Sequence, residues 1–290
     1  MKIKIGSRRS KLALKQSKII IDLINTIDKS INCEIVEITT IGDRRLDLSL
    51  SEFGGKGAFV SEIEDRLISG DIDIAVHSAK DLPIDLPKGL HIGAVSKRAN
   101  PCDVLILNKG VKLDKAAVIG TGSQRRIVQI KDILDVQTKD IRGNIDTRLS
   151  KLQNGDYDAI ILAAAGIERM GYDNNANFDY HYLNYDKFTP APCQGIIGIE
   201  CRKDSYVNSI LNKINHNETF IQFEAERKLL QEMNSGCKIP FGAYSYIKNN
   251  CINITAYYYA NKQIRVSNSG PINKHMELAI QTANEIKEQM

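Results

Sequence analysis

None of the six cysteines, Cys33, Cys102, Cys193, Cys201, Cys237 and Cys251, falls in a Cys-x-x-Cys pair. Their scatter argues against a disulfide framework and against a zinc site. It leaves a lone nucleophile or an attachment point as the special role open to any of them. Long apolar runs are missing too: stretches such as Ala159–Ile167 are far too short to cross a bilayer as a helix. Met1–Ser10 carries charges and no apolar h-region, so no secretory signal is expected and the cytosol is the expected compartment. Low-complexity segments are absent. The net charge is only +4, too mild to imply a nucleic-acid partner.

What remains is a globular sequence with room for two or three domains in its 290 residues. Lys2–Gly6 reads as a strand, and Ser10 is placed to cap a helix from Lys11 to about Asn25, with Leu12, Ile19, Ile20, Leu23 and Ile24 as its apolar stripe. Glu34–Ile41 alternates as a strand does. Gly42–Gly57 has little periodicity and ends in Gly54-Gly55-Lys56-Gly57, the pattern of a loop. Ser61–Ser69 reads as a helix and Asp73–His77 as a buried strand. This β-α-β-α-β order predicts a parallel sheet with helices on its faces.

A second unit of the same kind follows. Strands are expected at Val104–Leu107, Ala117–Ile119, Val136–Ile141 and Asp158–Ala164, with helices from Gln124 and over Asn144–Gln153. Gly195–Arg202 is one more strand, placed to return the chain to the first unit. The pattern then changes: a helix from about Glu218 to Met233, strands at Ala243–Lys248, Cys251–Ala260 and Gln263–Ser267, and a closing helix from about Lys274. That order suggests a small α+β domain with an antiparallel sheet. The expected division is residues 1–96 with 195–215, residues 97–194, and residues 216–290, with a ligand cleft between the two α/β units.

The residues that bear chemistry cluster at the turns after strands. Gly6-Ser7-Arg8-Arg9-Ser10 joins a strand to a helix, where free N–H groups, the helix dipole, hydroxyls and guanidinium groups together suit a carboxylate or phosphate. Thr121-Gly122-Ser123-Gln124-Arg125-Arg126 repeats the design. Arg142-Gly143-Asn144-Ile145-Asp146-Thr147-Arg148 and Gly166-Ile167-Glu168-Arg169 add two more basic turns. Each alone is equally an ordinary helix cap with solvated arginines. Four at the carboxyl ends of parallel strands point to the ligand crevice of open α/β sheets. His77-Ser78-Ala79-Lys80-Asp81 places a carboxylate beside a lysine after a buried strand. Neighbouring cations would keep Asp81 ionised, and an ionised carboxylate in a partly dry cleft stabilises a developing cation; a plain Lys80–Asp81 surface pair is the other reading. His77 by itself reads as a packed histidine. Gly236-Cys237-Lys238-Ile239-Pro240 sets a cysteine on a turn beside a lysine that favours its thiolate, or else buries a small apolar residue.

In this order the segments resemble porphobilinogen deaminases, the hydroxymethylbilane synthase family, over nearly the whole chain. The motifs are Gly-Ser-Arg-Arg-Ser-Lys-Leu-Ala-Leu-Lys-Gln from Gly6, Gly-Gly-Lys-Gly-Ala-Phe from Gly54, Asp-Ile-Ala-Val-His-Ser-Ala-Lys-Asp from Asp73 and Thr-Gly-Ser-Gln-Arg-Arg from Thr121. They continue with Ile-Arg-Gly-Asn-Ile-Asp-Thr-Arg-Leu-Ser-Lys-Leu from Ile141, Tyr-Asp-Ala-Ile-Ile-Leu-Ala from Tyr157, Gln-Gly-Ile-Ile-Gly-Ile-Glu-Cys-Arg from Gln194 and Gly-Cys-Lys-Ile-Pro from Gly236.

The resemblance implies two periplasmic-binding-protein-like α/β domains and a small C-terminal α+β domain with an antiparallel three-stranded sheet. It implies an enzyme that condenses four porphobilinogens into linear hydroxymethylbilane with release of ammonia, on a dipyrromethane cofactor in thioether linkage to Cys237. Asp81 matches the catalytic aspartate. Lys80, Ser78, Thr121, Ser123, Arg125, Arg126 and Gly143 match cofactor-binding positions. Arg8, Ser10, Gln16, Arg142, Arg148, Arg169 and Gln194 match substrate-binding ones, and Lys56 and Phe59 a lid loop. No metal is implied, and a monomer without nucleic-acid or membrane partners is expected. Departures from the family pattern are Ala79 for methionine, Gly122 and Gln124 for serine and leucine, Cys193 for glycine and Lys238 for glutamine. Cys193 is thus a second thiol expected near the cleft.

Two readings of other classes stand beside this one. A non-catalytic anion-binding module of the same architecture would need neither Asp81 nor Cys237 and would have the mass of its sequence. A nucleic-acid binder would use the arginines on phosphates and would bind in a salt-sensitive way.

Overall fold

The computed structural model describes residues 1–40, 60–234 and 239–290. In chain order its elements are β1 (Lys2–Arg8), α1 (Lys11–Ile27), β2 (Asn32–Ile38), α2 (Ser61–Ser69), β3 (Ile74–Ser78), β4 (Leu90–Val95) and β5 (Asp103–Asn108). Next come β6 (Val118–Gly120), α3 (Gln124–Ile133), β7 (Gln137–Lys139), α4 (Ile145–Gln153), β8 (Ala159–Ala163), α5 (Ala164–Met170) and β9 (Phe178–Leu183). The last are β10 (Ile197–Arg202), α6 (Asn208–Ile214), α7 (Asn217–Glu232), β11 (Phe241–Lys248), β12 (Cys251–Tyr259), β13 (Gln263–Pro271) and α8 (His275–Glu288). The expected loop at Gly42–Gly57, with Lys56 and Phe59, and the turn at Cys237 and Lys238 lie outside the described residues.

By internal contacts the chain divides into two compact units, Met1–Ala99 with Ile196–Phe223 and Asn100–Gly195 with Glu224–Met290. The first unit is built on a five-stranded sheet in the order β2-β1-β3-β10-β4. Strand β1 runs parallel to β2 and β3, whereas β10 runs antiparallel to β3 and to β4. The second unit has the order β7-β6-β8-β5-β9, with β6 parallel to β7 and β8 and with β5 antiparallel to β8 and β9. The two sheets therefore share one topology, strand for strand. The expectation of purely parallel sheets is corrected in one respect: in each sheet the fourth strand is the first one laid down after the chain has crossed from the other unit, and it runs against its neighbours. A three-stranded antiparallel sheet, β11-β12-β13, completes the second unit with α8 packed against it. Two sheets with flanking helices and a small three-stranded antiparallel sheet are thus present, as the α/β and α+β parts of the expected fold require.

Local chemistry accounts for the elements that carry the site. Ser10 caps α1, its Oγ accepting from Ala13 N at 3.2 Å. Ala13, Gln16, Ser17, Ile20 and Ile24 then face inward at helical spacing. Asn144 caps α4 in the same way, its Oδ1 accepting from Thr147 N at 2.9 Å. Helix α2 stops at Gly70, whose φ of +81° suits glycine best. One layer of apolar side chains under the first sheet, Ile3, Ile5, Ile74, Val76, Ile197 and Ile199, packs on Ile20 and Ile24 of α1 and on Ile210 and Leu211 of α6. The opposite face of that sheet packs Ala75 on Ile63 and Leu67 of α2.

Strand β11 begins hard against the segment before β10. A Cβ added at Gly242 would lie 2.9 Å from both Thr189 O and Pro190 O, and Ala243 N donates to Pro190 O at 3.0 Å. Because backbone atoms on both sides cannot yield, Gly242→Ala is expected to lower stability by about 1–3 kcal/mol, read as an earlier midpoint in urea unfolding with an unchanged slope.

Candidate active site

In the first unit the turns after β1 and β3 meet. A cavity of about 90 Å³ is lined by Arg8, Ser10, Leu12, Ala13, Gln16, Val60, Val76, His77, Ser78 and Asp81. Arg8 stands at the end of β1, and Ser10 and Gln16 on the first turns of α1. Ser78 ends β3, and Asp81 closes the 3-10 turn Ala79–Asp81 that follows. Gln16 is buried and ties the two turns together: its Nε2 donates to Ser78 Oγ at 2.9 Å. Asp81 is exposed and Lys80 half-buried. Of the residues expected to act in this unit, Arg8, Ser10, Gln16, Ser78 and Asp81 therefore share one cavity.

In the second unit the basic turns divide into two kinds. Arg125 and Arg126 open α3 but point inward, with relative exposures of 5% and 7%. Both meet Asp103, which has none. Arg126 donates to Asp103 Oδ1 through Nε at 3.0 Å and Nη2 at 2.6 Å. Arg125 Nη1 lies 2.8 Å from Asp103 Oδ2, an ion pair whose angles fall short of a hydrogen bond. It also donates to Thr189 O at 2.7 Å, as Arg126 Nη1 does to Ile161 O at 3.0 Å. Gln194 joins this cluster, its Nε2 donating to Asp103 Oδ1 at 3.0 Å and to Pro101 O at 2.8 Å. Although burial alone would push the Asp103 carboxyl up, the two guanidinium groups hold it well below the usual carboxylate range.

The other arginines are placed differently. Arg142 pairs with Asp140 at 3.0 Å. Arg148 Nε donates only to a backbone oxygen, Gly143 O at 2.8 Å, and Arg169 Nη2 to Gly195 O at 2.6 Å. Among the described residues neither Arg148 nor Arg169 forms an ion pair with a carboxylate. Burial lowers the pKa of Arg148 to about 10, with the like charges of Arg126 and Arg142 adding to the shift; burial does the same for Arg169, also to about 10. These are cations that have lost water without gaining an acid, the state in which an incoming carboxylate binds best. Gly143, with φ of +111°, lets the turn between Arg142 and Arg148 form. Thr121 is buried, its Oγ1 accepting from Ser123 N at 3.3 Å, and Ser123 stands at the N-cap of α3.

Three carboxylates that the motifs do not single out organise these sites. Asp103 opens an otherwise apolar strand, and that break in the run was its signal in the sequence. Glu226, fully buried on α7, accepts from Cys193 N at 2.6 Å and from Ser245 N and Oγ at 2.7 Å each. Cys193 itself is buried with φ of +62°, a backbone that glycine adopts without strain, which accounts for glycine as the usual residue there. Glu200, also fully buried, meets His77 Nε2 at 3.0 Å.

Comparison with known proteins follows the same lines. Residues 3–209 match the family described as "Porphobilinogen deaminase, dipyromethane cofactor binding domain", and residues 220–288 match "Porphobilinogen deaminase, C-terminal domain". A porphobilinogen deaminase of Geobacillus kaustophilus is 46% identical over 260 residues, covering 88% of this chain and 83% of the relative. One from Desulforamulus reducens is 42% identical over 293 residues, covering 98% and 94%. One from Listeria innocua is 48% identical over 249 residues, covering 84% and 81%.

If Asp103 is what holds Arg125 and Arg126 in place, Asp103→Ala strands two guanidinium groups in the interior. The expected loss is about 3–5 kcal/mol of stability, measured by denaturant unfolding at neutral pH. A loss below 1 kcal/mol would show the cluster to be dispensable.

Proposed function

The chain belongs to the porphobilinogen deaminase family, and from that premise we propose that it acts as a transferase joining four porphobilinogens head to tail into linear hydroxymethylbilane, with release of ammonia. The family works in tetrapyrrole synthesis and uses a dipyrromethane cofactor. The observation that carries the reading onto this chain is the pair of half-buried guanidinium groups, Arg148 and Arg169, with no carboxylate of their own among the described residues.

The donor set fits the cofactor. Each pyrrole bears an acetate and a propionate, so a primer of two rings and the chain that lengthens on it are polyanions. Arg148 and Arg169 would take such carboxylates as planar forks, and Arg142 would do so by exchanging Asp140 for them. We assign attachment to the thiol of Cys237, with Lys80, Ser78, Thr121, Ser123 and Gly143 as further contacts. Arg125, Arg126 and Gln194 contribute through the buried cluster on Asp103. When bound, the dipyrromethane would supply the ring carbon to which the first unit is joined, and each later unit would join the ring added before it.

The remaining chemistry belongs to the protein. Arg8 and the start of α1, with Ser10 at its cap, present cationic and N–H groups to the carboxylates of an incoming porphobilinogen. Asp81, on the same cavity, stabilises the positive charge that develops on the aminomethyl carbon as ammonia leaves. Gln16 fixes Ser78 and with it the turn that bears Asp81. Lys56 and Phe59 are assigned to a segment that covers the bound chain. We place the protein in the cytoplasm as a monomer, without nucleic-acid or membrane partners. No helix among the described residues is long and apolar enough to cross a membrane.

Two measurements test this reading. Intact mass of the purified protein should exceed the sequence mass by a dipyrromethane, and Cys237→Ser should have the sequence mass alone; a wild type at sequence mass would favour a plain anion-binding module. Asp81→Asn should keep the fold and the cofactor mass while porphobilinogen consumption falls by about a thousandfold, as when a group that stabilises charge in the transition state is removed. Turnover within tenfold of wild type would remove Asp81 from the mechanism.

A further inference from the structure

Beneath the cavity of the first unit lies a second set of titratable groups that the assignments above leave unused. His77 ends the buried part of β3 and also lines the cavity. In the sheet it stands opposite Gly198, and Ala75 opposite Glu200, so His77 and Glu200 lie on the same face, the one covered by α2. There His77 Nε2 meets Glu200 Oε2 at 3.0 Å, with both side chains buried. Among the described residues no other hydrogen bond is made by the His77 ring. Glu200 Oε1 is buried with no partner among the described residues, and so is Glu64 Oε1 on the facing helix α2. A fully buried carboxylate oxygen without a donor is rare, and a second one on the facing helix calls for a shared explanation. Glu200 repels the charge on Glu64, so the two carboxyl groups act on each other between β10 and α2.

We infer that Glu64, Glu200 and His77 form a proton-accepting relay that opens on the cavity at His77. The inference rests on the proposed reaction. Each condensation breaks the C–N bond of an aminomethyl group, and ammonia leaves with the electron pair. It forms one C–C bond. It then breaks one C–H bond at the ring carbon that was attacked: the electron pair returns to the ring, and the proton must pass to a base. His77 receives that proton while Glu200 holds the ring and stabilises the imidazolium, and Glu64 determines whether the pair behind it can accept charge. Asp81 is thereby left to stabilise positive charge without also having to carry the proton away.

Among the described residues the charges that act on Glu64 are those of Glu200 from β10 and Asp65 from its own helix. Arg202, further along β10, is engaged with Leu67 O, Ile72 O and Asp73. The neighbouring strands β1 and β2 present Gly6, Val36 and Ile38. Burial first, then repulsion from Glu200 and Asp65, pushes the Glu64 carboxyl up to about 7. Its pKa when unfolded is the ordinary 4.5, so the folded state holds the proton more tightly. Stability is therefore lost as pH rises from 4.5 through 7, while the ionised, proton-accepting form is gained over the upper part of that range.

Stability and activity should therefore move in opposite directions in Glu64→Gln, which a purely structural role would not allow. The experiment uses cofactor-loaded wild type, Glu64→Gln and His77→Asn. It reads kcat and KM for porphobilinogen from pH 5.5 to 9, the thermal midpoint at pH 5 and pH 8, and the isotope effect with porphobilinogen deuterated at the free ring carbon. In wild type, kcat should rise through about pH 7. In Glu64→Gln that rise should vanish, kcat at pH 8 should fall by about tenfold with KM within twofold, and the thermal midpoint should gain more at pH 8 than at pH 5. In His77→Asn, kcat should fall by about a hundredfold and a deuterium effect above about 2 should appear.

The relay is wrong if the Glu64→Gln profile superimposes on that of wild type. It is also wrong if kcat falls by one factor at every pH together with the thermal midpoint. Should His77→Asn fail to fold, the isosteric Glu64→Gln decides alone. A wild type that carries the dipyrromethane but consumes no porphobilinogen would instead overturn the proposed reaction, and the relay with it.

Discussion

Asp103 is surrounded by two guanidinium groups and the amide of Gln194 and is wholly buried. A carboxylate so placed is stable only while paired, because the interior offers nothing else to hold its charge. The pairing determines what the rest of the second unit can do. It draws Arg125 and Arg126, the most conspicuous basic pair in the sequence, away from the surface of their own helix. It also seats that helix on β5 and β8, since Arg126 reaches Ile161 O as well. The cations left over, Arg148 and Arg169, are dehydrated by the structure around them but not neutralised. Arg125 and Arg126 thus serve the internal structure of the unit, while Arg148 and Arg169 form no ion pair with a carboxylate among the described residues.

Much of this was legible beforehand. Period and capping located β1, α1, α2, β3, α3, α4, β8 and β10, because in these segments apolar spacing, hydroxyl or amide caps and glycine stops all agree. The basic turns were legible for the same reason, each lying between a clear strand and a clear helix. Strands β4 and β9 were not found. Gly93 interrupts the apolar run of the first, where Cys201 and Leu211 press against the glycine. The second is an edge strand, Phe-Asp-Tyr-His-Tyr-Leu, in which only Phe178 is buried. The short helices α5 and α6 lie below the length at which a helical period can be read. Strand direction was also invisible: β5, β8 and β10 are buried on both faces and read alike whether their neighbours run parallel or antiparallel.

The partners of the site residues were harder to read than the residues themselves. Nothing local in the sequence links Asp103 to Arg126, Glu200 to His77 or Glu226 to Cys193, since each link is a contact across the fold. What the sequence offers is a charged residue inside an apolar strand or on the buried side of a helix, which marks a hidden partner without naming it. Cys193 is the reverse case. There a departure from the family pattern falls where the backbone is left-handed, and the N–H held by Glu226 shows how the turn keeps that shape without glycine.

The shared topology of the two large sheets has a consequence for how the chain is made. Each sheet takes its antiparallel fourth strand from a stretch reached only after a crossing, β5 following β4 and β10 following β9. During synthesis the earliest strands, β1 to β4, leave the ribosome with a gap between β3 and β4 that only Ile197–Arg202 can fill. All five strands of the second sheet emerge before that filler does. The half of the molecule that is translated first is therefore completed second, and until then its two open strand edges are the most exposed pairing surfaces on the nascent protein.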